Sequence, residues 1–159
     1  MDPMLYFAYG SNMNWDQMHS RCPSAQFAFV ARAEGYVLAF TRFSQKRKCG
    51  VADIVASSGN DVWGVVFNTP NDEIGQLDKS EGYRPGRARE LNAYERSPLE
   101  VACQEQTNSP IAVWTYFVVS KSKLSLKPAV EYKALILDGA RHWGLPAAYI
   151  ERLERIRTL

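Results

Sequence analysis

The sequence has little of what marks several protein classes. Its 159 residues include three cysteines, Cys22, Cys49 and Cys103. They are odd in number, scattered and without a CxxC pair. That excludes a disulfide framework and a zinc-ribbon spacing, and it predicts reduced thiols in a cytoplasmic protein. The two histidines, His19 and His142, lie far apart, and no HExxH pattern occurs. Neither marks a metal site or a histidine base. No GxSxG elbow singles out a serine nucleophile. No apolar run approaches the roughly 18–20 residues of a membrane span. The opening Met1-Asp2-Pro3-Met4 carries an acid and a proline where a secretory leader would be basic, so no secretory signal is expected. Neither sign of charge dominates: 19 Lys and Arg face 17 Asp and Glu, a formal net charge of +2. That balance is far from a nucleic-acid footprint. No internal repeat, low-complexity tract or linker interrupts the chain.

What is present is an ordinary globular composition, 46% hydrophobic and 12% aromatic. The length suits one domain over residues 1–159, burying roughly 70% of its unfolded surface. Met4–Tyr9 is a short apolar and aromatic run closed by Gly10, which predicts a buried N-terminal strand. A helix is expected from Ser11–Asn14 to about Ser20, with Asn14 and Gln17 as a capping box and Pro23 beyond it. Strands are expected over 25–33 and 35–42, with Glu34-Gly35 as a hairpin turn, and over 50–56 and 62–67, with Ser57–Asp61 as another turn. A polar, basic loop, 43–48, separates the two pairs. Thr69-Pro70 reads as N-cap and first turn of a helix running to Ser80 or Glu81, stopped by Gly82. Strands over 88–96, 100–106 and 111–119 follow. Pro128 and Pro146 open two closing amphipathic helices, the second with Tyr149, Leu153 and Ile156 on one face. The predicted class is mixed α/β: a single small β-barrel or strongly curled mixed sheet flanked by helices.

Two places suggest chemistry. At Tyr9-Gly10-Ser11-Asn12 a buried strand gives way to a helix within two residues. Gly10 allows a positive φ or a close ligand approach, and the free N–H groups there form an anion-binding concavity. A plain turn capped by Ser11 or Asn12 reads equally from these residues. The second place is Glu81. It lies seven residues beyond Ile74 and four beyond Leu77, on the face those residues turn inward. An inward carboxylate at a helix C-terminus is disfavoured by burial and by the helix dipole, both of which raise its pKa. A raised carboxylate suits a general base near neutral pH. The alternative is a frayed helix end with Glu81 in solvent or paired with Arg84 or Arg87. Asp78 is the rival carboxylate, expected at the surface or as a cap partner.

These residues belong to a longer pattern. Tyr6-Phe7-Ala8-Tyr9-Gly10-Ser11-Asn12-Met13, Asp61-Val62-Trp63-Gly64-Val65-Val66 and Leu77-Asp78-Lys79-Ser80-Glu81-Gly82 occur in order, followed by Tyr132-Lys133, Gly139-Ala140 and Gly144-Leu145-Pro146. Together they resemble the γ-glutamylcyclotransferases. The resemblance implies a mixed β-barrel flanked by helices. It implies release of 5-oxoproline from a γ-glutamyl substrate without cofactor or metal, and a place in glutathione metabolism. It puts the catalytic acid/base on Glu81, and substrate binding on Tyr6, Phe7, Ala8, Tyr9, Gly10, Ser11, Asn12 and Tyr132. The implied partner is a small γ-glutamyl molecule, with no nucleic acid or membrane, and a homodimer is compatible with the reading.

The chain departs from the family at one point. An aromatic residue that many members carry after the Glu-Gly pair aligns with Ala88, with Tyr83 or an arginine as a substitute. Ala88, Arg84, Arg87 and Arg89 therefore keep a γ-glutamylamine or γ-glutamyl-protected metabolite open as substrate. A non-enzymatic binding or stress-response module on the same fold is the remaining alternative. Arg42, Lys46, Arg47 and Lys48 make either a solvated basic loop or an attractor for an anionic substrate.

Overall fold

Strand β1 (Met4–Ala8) is the apolar run expected at the N-terminus, and it is flanked by two other strands of the sheet. It pairs antiparallel with β3 (Cys49–Thr69), Tyr6 opposite Phe67, and parallel with β5 (Gln106–Val118), Tyr6 opposite Trp114. β2 (Gln26–Ser44) pairs with β3 along nearly its whole length, and β4 (Tyr94–Cys103) pairs with β5. The order β1-β3-β2-β4-β5 closes on itself, so the sheet is mixed and strongly curled, as the sequence predicts. This computed structural model describes residues 4–104 and 106–159, with the side chains of 106–108 set aside. Met1, Asp2 and Pro3, where no secretory signal is expected, and Glu105 of the expected 100–106 strand lie outside the described residues. The core is filled by Phe7, Phe67, Ile54, Val65 and Val101 from the strands and by Leu77 and Ile136 from the helices. Among the described residues no helix is long and apolar enough to cross a membrane.

Four expectations about elements are corrected. The two predicted hairpin turns are glycine-centred irregularities inside long strands. Gly35 (φ +81°) sits at a register shift between Glu34 and Tyr36, and Gly59 (φ +83°) lies within β3. A strand glycine accepts a bulge as readily as a turn, and the sequence pattern does not separate the two. The real hairpin is the basic loop, where Ser44 faces Cys49. Second, Thr69 is no N-cap. It ends β3 fully buried, its hydroxyl donating to the Met4 carbonyl (2.7 Å), and the following turn Asn71–Glu73 is 3₁₀ before α2 (Ile74–Ser80). Third, residues 94–103 form one strand through Pro98. β2 pairs with β4 only at Ala102 and Cys103, so a residue without an N–H is tolerated earlier in the strand. Fourth, the first helix breaks in two: a 3₁₀ turn at Ser11–Met13, then α1 (Trp15–Arg21). Asn14 caps α1 by accepting from the Gln17 N–H (3.1 Å), but the Gln17 side chain is spent elsewhere.

The closing helices α3 (Val130–His142) and α4 (Ala147–Glu154) start after their prolines as expected, and Gly144 (φ +74°) separates them. α3 lies directly on the turn after β1. A Cβ added at Gly139 would sit 2.4 Å from the Met13 carbonyl carbon, so only glycine permits this approach. The indole N–H of Trp143 donates to the Met13 carbonyl (2.9 Å) one helical turn later.

Candidate active site

The turn after β1, the end of α2, the β2–β3 hairpin and the start of α3 enclose a hollow of about 270 Å³. Tyr6, Tyr9, Gly10, Ser11, Asn12, Glu81 and Tyr132 all line it. The other two sequence-predicted binding residues do not. Phe7 and Ala8 are completely buried; strand alternation turns Phe7 away from Tyr6, and its ring packs on Gly64.

Glu81 closes α2. Its N–H donates to the Leu77 and Asp78 carbonyls (both 3.1 Å), and Gly82 (φ +66°) then reverses the chain against Ala93. Ile74 and Leu77 are buried on the same face, and the Glu81 side chain is only 16% exposed. The carboxylate thus faces inward, not into solvent. One of its oxygens accepts from Asn12 Nδ2 (2.9 Å) and lies 3.7 Å from Arg21 Nη1. Burial pushes its pKa up; the Arg21 guanidinium and the Asn12 hydrogen bond oppose the rise without cancelling it.

Asn12 is held in one orientation. Its Oδ1 accepts from Gln17 Nε2 (2.9 Å) and Arg21 Nη1 (2.9 Å). Two donors on that oxygen fix the amide group so that Nδ2 serves Glu81 and the Tyr6 hydroxyl (3.0 Å). Gln17 also donates to Ser11 Oγ (2.8 Å) and accepts from Arg47 Nη2 (2.8 Å). That is where the missing half of the capping box went. Gly10 adopts φ −114°, so the positive φ allowed by the sequence is not used. Its missing side chain matters instead, because an added Cβ would stand 3.2 Å from Ala52 Cβ and 3.8 Å from the Tyr132 hydroxyl. The turn's own bonds, Met13 N–H to Gly10 O and Asn14 N–H to Ser11 O, use its carbonyls. Among the described residues no protein acceptor takes the N–H of Gly10, Ser11 or Asn12.

Five phenols wall the hollow: Tyr6, Tyr9, Tyr94, Tyr116 and Tyr132. Burial raises the pKa of each, Tyr132 to about 12, so all stay neutral donors at ordinary pH. The Tyr132 hydroxyl accepts from the Ala52 N–H (2.9 Å), keeping its own proton for another partner. Glu81 is the one carboxylate lining the hollow among the described residues. Asp78 is not the surface residue expected. It is buried, bound by the Tyr116 hydroxyl (2.6 Å) and by Arg96 (3.0 Å), because α2 lies with this face also against the barrel. The three cysteines are buried and unpaired, and burial holds the Cys22 thiol up at about 11, unsuited to nucleophilic use.

Of the cations that converge here, the sequence singles out Arg42, Lys46 and Arg47 as a solvated loop or an attractor for an anionic substrate, but not Arg21 or Lys79. Arg21, Lys79 and the hairpin's Arg42, Lys46 and Arg47 line the hollow, and Arg47 lies over the Tyr132 ring (4.8 Å). Arg21 had a local signal: it follows Gln17 by four residues, on the same helix face. Ala88 is exposed. Nearby, Arg87 is held by Asn92 (2.6 Å) and Arg89 by Glu95 (2.7 Å), so neither substitutes for an aromatic wall.

Three comparisons bear on this site. Residues 61–153 match the AIG2-like family model. The chain is 35% identical to the γ-glutamylcyclotransferase of Mus musculus over 161 residues, covering 98% of this chain and 79% of that protein. It is 36% identical to the γ-glutamylcyclotransferase of Homo sapiens over 159 residues, with the same coverage. A solved γ-glutamyl cyclotransferase superimposes with a TM-score of 0.89 at 34% identity, over 99% of this chain and 90% of that one.

Proposed function

The chain belongs to the γ-glutamylcyclotransferases of the AIG2-like family, and on that premise we propose that it cyclises a γ-glutamyl amino acid to 5-oxoproline with Glu81 moving the protons. It is an enzyme of the cyclotransferase kind. The observation that supports the residue assignment is the inward Glu81 carboxylate, tied to Asn12 beside the unoccupied amides of the Gly10–Asn12 turn.

In this reading the substrate's α-carboxylate docks on those amides, with the Tyr132 hydroxyl as a further donor. Glu81, ionised beside Arg21, takes a proton from the α-ammonium. The freed amine attacks the γ-carbonyl carbon of the same molecule, and a five-membered ring forms. As the tetrahedral centre collapses, the bond to the leaving nitrogen breaks. Glu81 returns its proton to that nitrogen. The second proton, shed as the ring nitrogen becomes an amide, follows to the leaving amine. No electrons change hands overall. Proton transfer of this kind contributes roughly 10²–10⁴-fold. Holding amine and carbonyl in contact contributes more, since well-oriented intramolecular attack reaches effective molarities of roughly 10⁵–10⁸ M. The neutral phenols exclude water and supply fixed dipoles. The buried, unpaired thiols support a cytoplasmic site of action.

Incubation with γ-glutamyl-alanine tests this. The expected products are 5-oxoproline and alanine in equal amounts. Glutamate instead of 5-oxoproline would mean hydrolysis, and a new γ-glutamyl compound in the presence of added amines would mean transfer. Either outcome overturns the proposal.

A further inference from the structure

Behind the Gly10–Asn12 turn stands a residue that ring closure itself does not use. Gln17 lies in the first turn of α1, half-buried and outside the wall of the hollow. Its side-chain amide is engaged at both ends. Oε1 accepts from Arg47 Nη2 (2.8 Å), on the β2–β3 hairpin. Nε2 carries two protons and donates to Ser11 Oγ (2.8 Å) and Asn12 Oδ1 (2.9 Å). A guanidinium donates and cannot accept, so Arg47 admits only the carbonyl end of this amide. The NH₂ end therefore faces the turn.

That polarity passes along two branches. On the first, Asn12 Oδ1 is taken by Gln17 and by Arg21 Nη1 (2.9 Å), which leaves Asn12 Nδ2 for Glu81 Oε1 (2.9 Å). On the second, Ser11 Oγ receives a proton from Gln17 and keeps its own for the opposite side. The Tyr132 hydroxyl stands there, and Ser11 lowers its pKa, as a donor to the phenol oxygen does. That oxygen also accepts from the Ala52 N–H (2.9 Å), so the phenol proton is left for the hollow. A hydroxyl and an amide can each present either a donor or an acceptor. With Gln17 behind them, Ser11 and Asn12 present donors.

We propose that Gln17 is a positioning residue for the reaction: its NH₂ group sets Ser11 and Asn12 so that Tyr132 and Asn12 turn donors toward the substrate and Glu81. This rests on the cyclotransferase reading above and adds to it the group that fixes the polarity of the site.

The test is Gln17→Met, which removes both donors and changes no charge. Glu81 is faced by Arg21 from α1, Arg47 from the hairpin, Asp78 from α2 and the five phenols of the wall, and the substitution leaves all of them in place. With γ-glutamyl-alanine, KM should rise about 2–10-fold, the range for a neutral hydrogen bond. The acid-limb midpoint of kcat/KM should move upward, because Asn12 is less firmly held on Glu81. Each effect should shrink where its branch is already cut: the KM rise in a Ser11→Ala background, the midpoint shift in an Asn12→Ala background. Thermal unfolding identifies a folding defect. If Gln17→Met does not fold, Gln17→Glu makes the same two comparisons, since it keeps the shape and the Arg47 contact and, when ionised, has no donor. A folded variant with KM and midpoint unchanged, or with effects as large in the cut backgrounds as in wild type, overturns the role of Gln17 while cyclisation stands. Absence of 5-oxoproline with wild-type protein overturns the cyclisation reading, and this proposal with it.

Discussion

Asn12 Nδ2 stands 2.9 Å from Glu81 Oε1, joining residues 69 apart in sequence. The contact links the turn after β1 to the end of α2. It is one-directional: Gln17 and Arg21 occupy the other end of the Asn12 amide, so only its NH₂ faces the carboxylate. Asn12→Ala therefore removes a donor to an ionised group and leaves Glu81 less well stabilised as an anion. A loss of about 10–100-fold in kcat/KM is expected. The acid limb of the pH profile should also move upward, because the lost hydrogen bond lowers the Glu81 pKa. Steady-state kinetics across pH measure both.

The pH profile of the wild type follows from the same group. Burial lifts the Glu81 pKa above the ordinary glutamate value of 4.5. The base must be ionised to accept a proton, so kcat/KM should rise with pH through a midpoint above 4.5 and then level off. Arg21 opposes the shift, so Arg21→Met should carry the midpoint higher still. A midpoint that stays put in this variant would remove Arg21 from the electrostatics of the site.

Arg96 and Asp78 form a largely buried pair that anchors α2 to the barrel beneath Glu81. Removing one partner of such a pair costs about 3–5 kcal/mol, because the other charge stays buried. Arg96→Met should lose about that much in urea unfolding at neutral pH. The folded-state pKa of Asp78 is raised, chiefly by burial. The folded protein thus holds this proton more tightly than the unfolded chain. The associated stability is present at low pH and declines as pH rises through the folded-state value. The Arg96→Met penalty should accordingly shrink on acidification, where Asp78 is neutral.

Gly139→Ala places a methyl group on the backbone of Met13, which has no room to yield. Overpacking of this kind costs about 1–3 kcal/mol. Because Met13 follows the Gly10–Asn12 turn, KM should rise along with the loss of stability. A variant less stable but with unchanged KM would show that α3 supports the fold without setting the turn.

The legible part of this molecule was its order of elements and its two site segments. The strand ending at Gly10 and the inward spacing of Ile74, Leu77 and Glu81 follow from short-range periodicity, and both are found as expected. The misread places all needed long-range information. Gly35 and Gly59 carry turn chemistry, yet each sits in one irregularity where the β2–β3 pairing jumps from Glu34 opposite Asp61 to Tyr36 opposite Ala56, and both strands run on through it. Asp78 has the sequence of a surface residue, and only Arg96 and Tyr116 from β4 and β5 make its burial tolerable. Gln17 reads as half of a capping box, but Ser11, Asn12 and Arg47 offer its side chain better partners. Of the cations around the hollow, the hairpin's three lie close together in sequence, but Arg21 and Lys79 come from two helices that no local pattern joins to them.

The most direct test of the central claim is the rate of 5-oxoproline release by Glu81→Gln, measured on γ-glutamyl-alanine with folding verified by thermal unfolding. Glutamine keeps the size and can still meet Asn12, but it cannot carry a proton between the two nitrogens. A fall in kcat of about 10²–10⁴-fold is predicted. A folded variant within a few-fold of the wild-type rate would contradict the account.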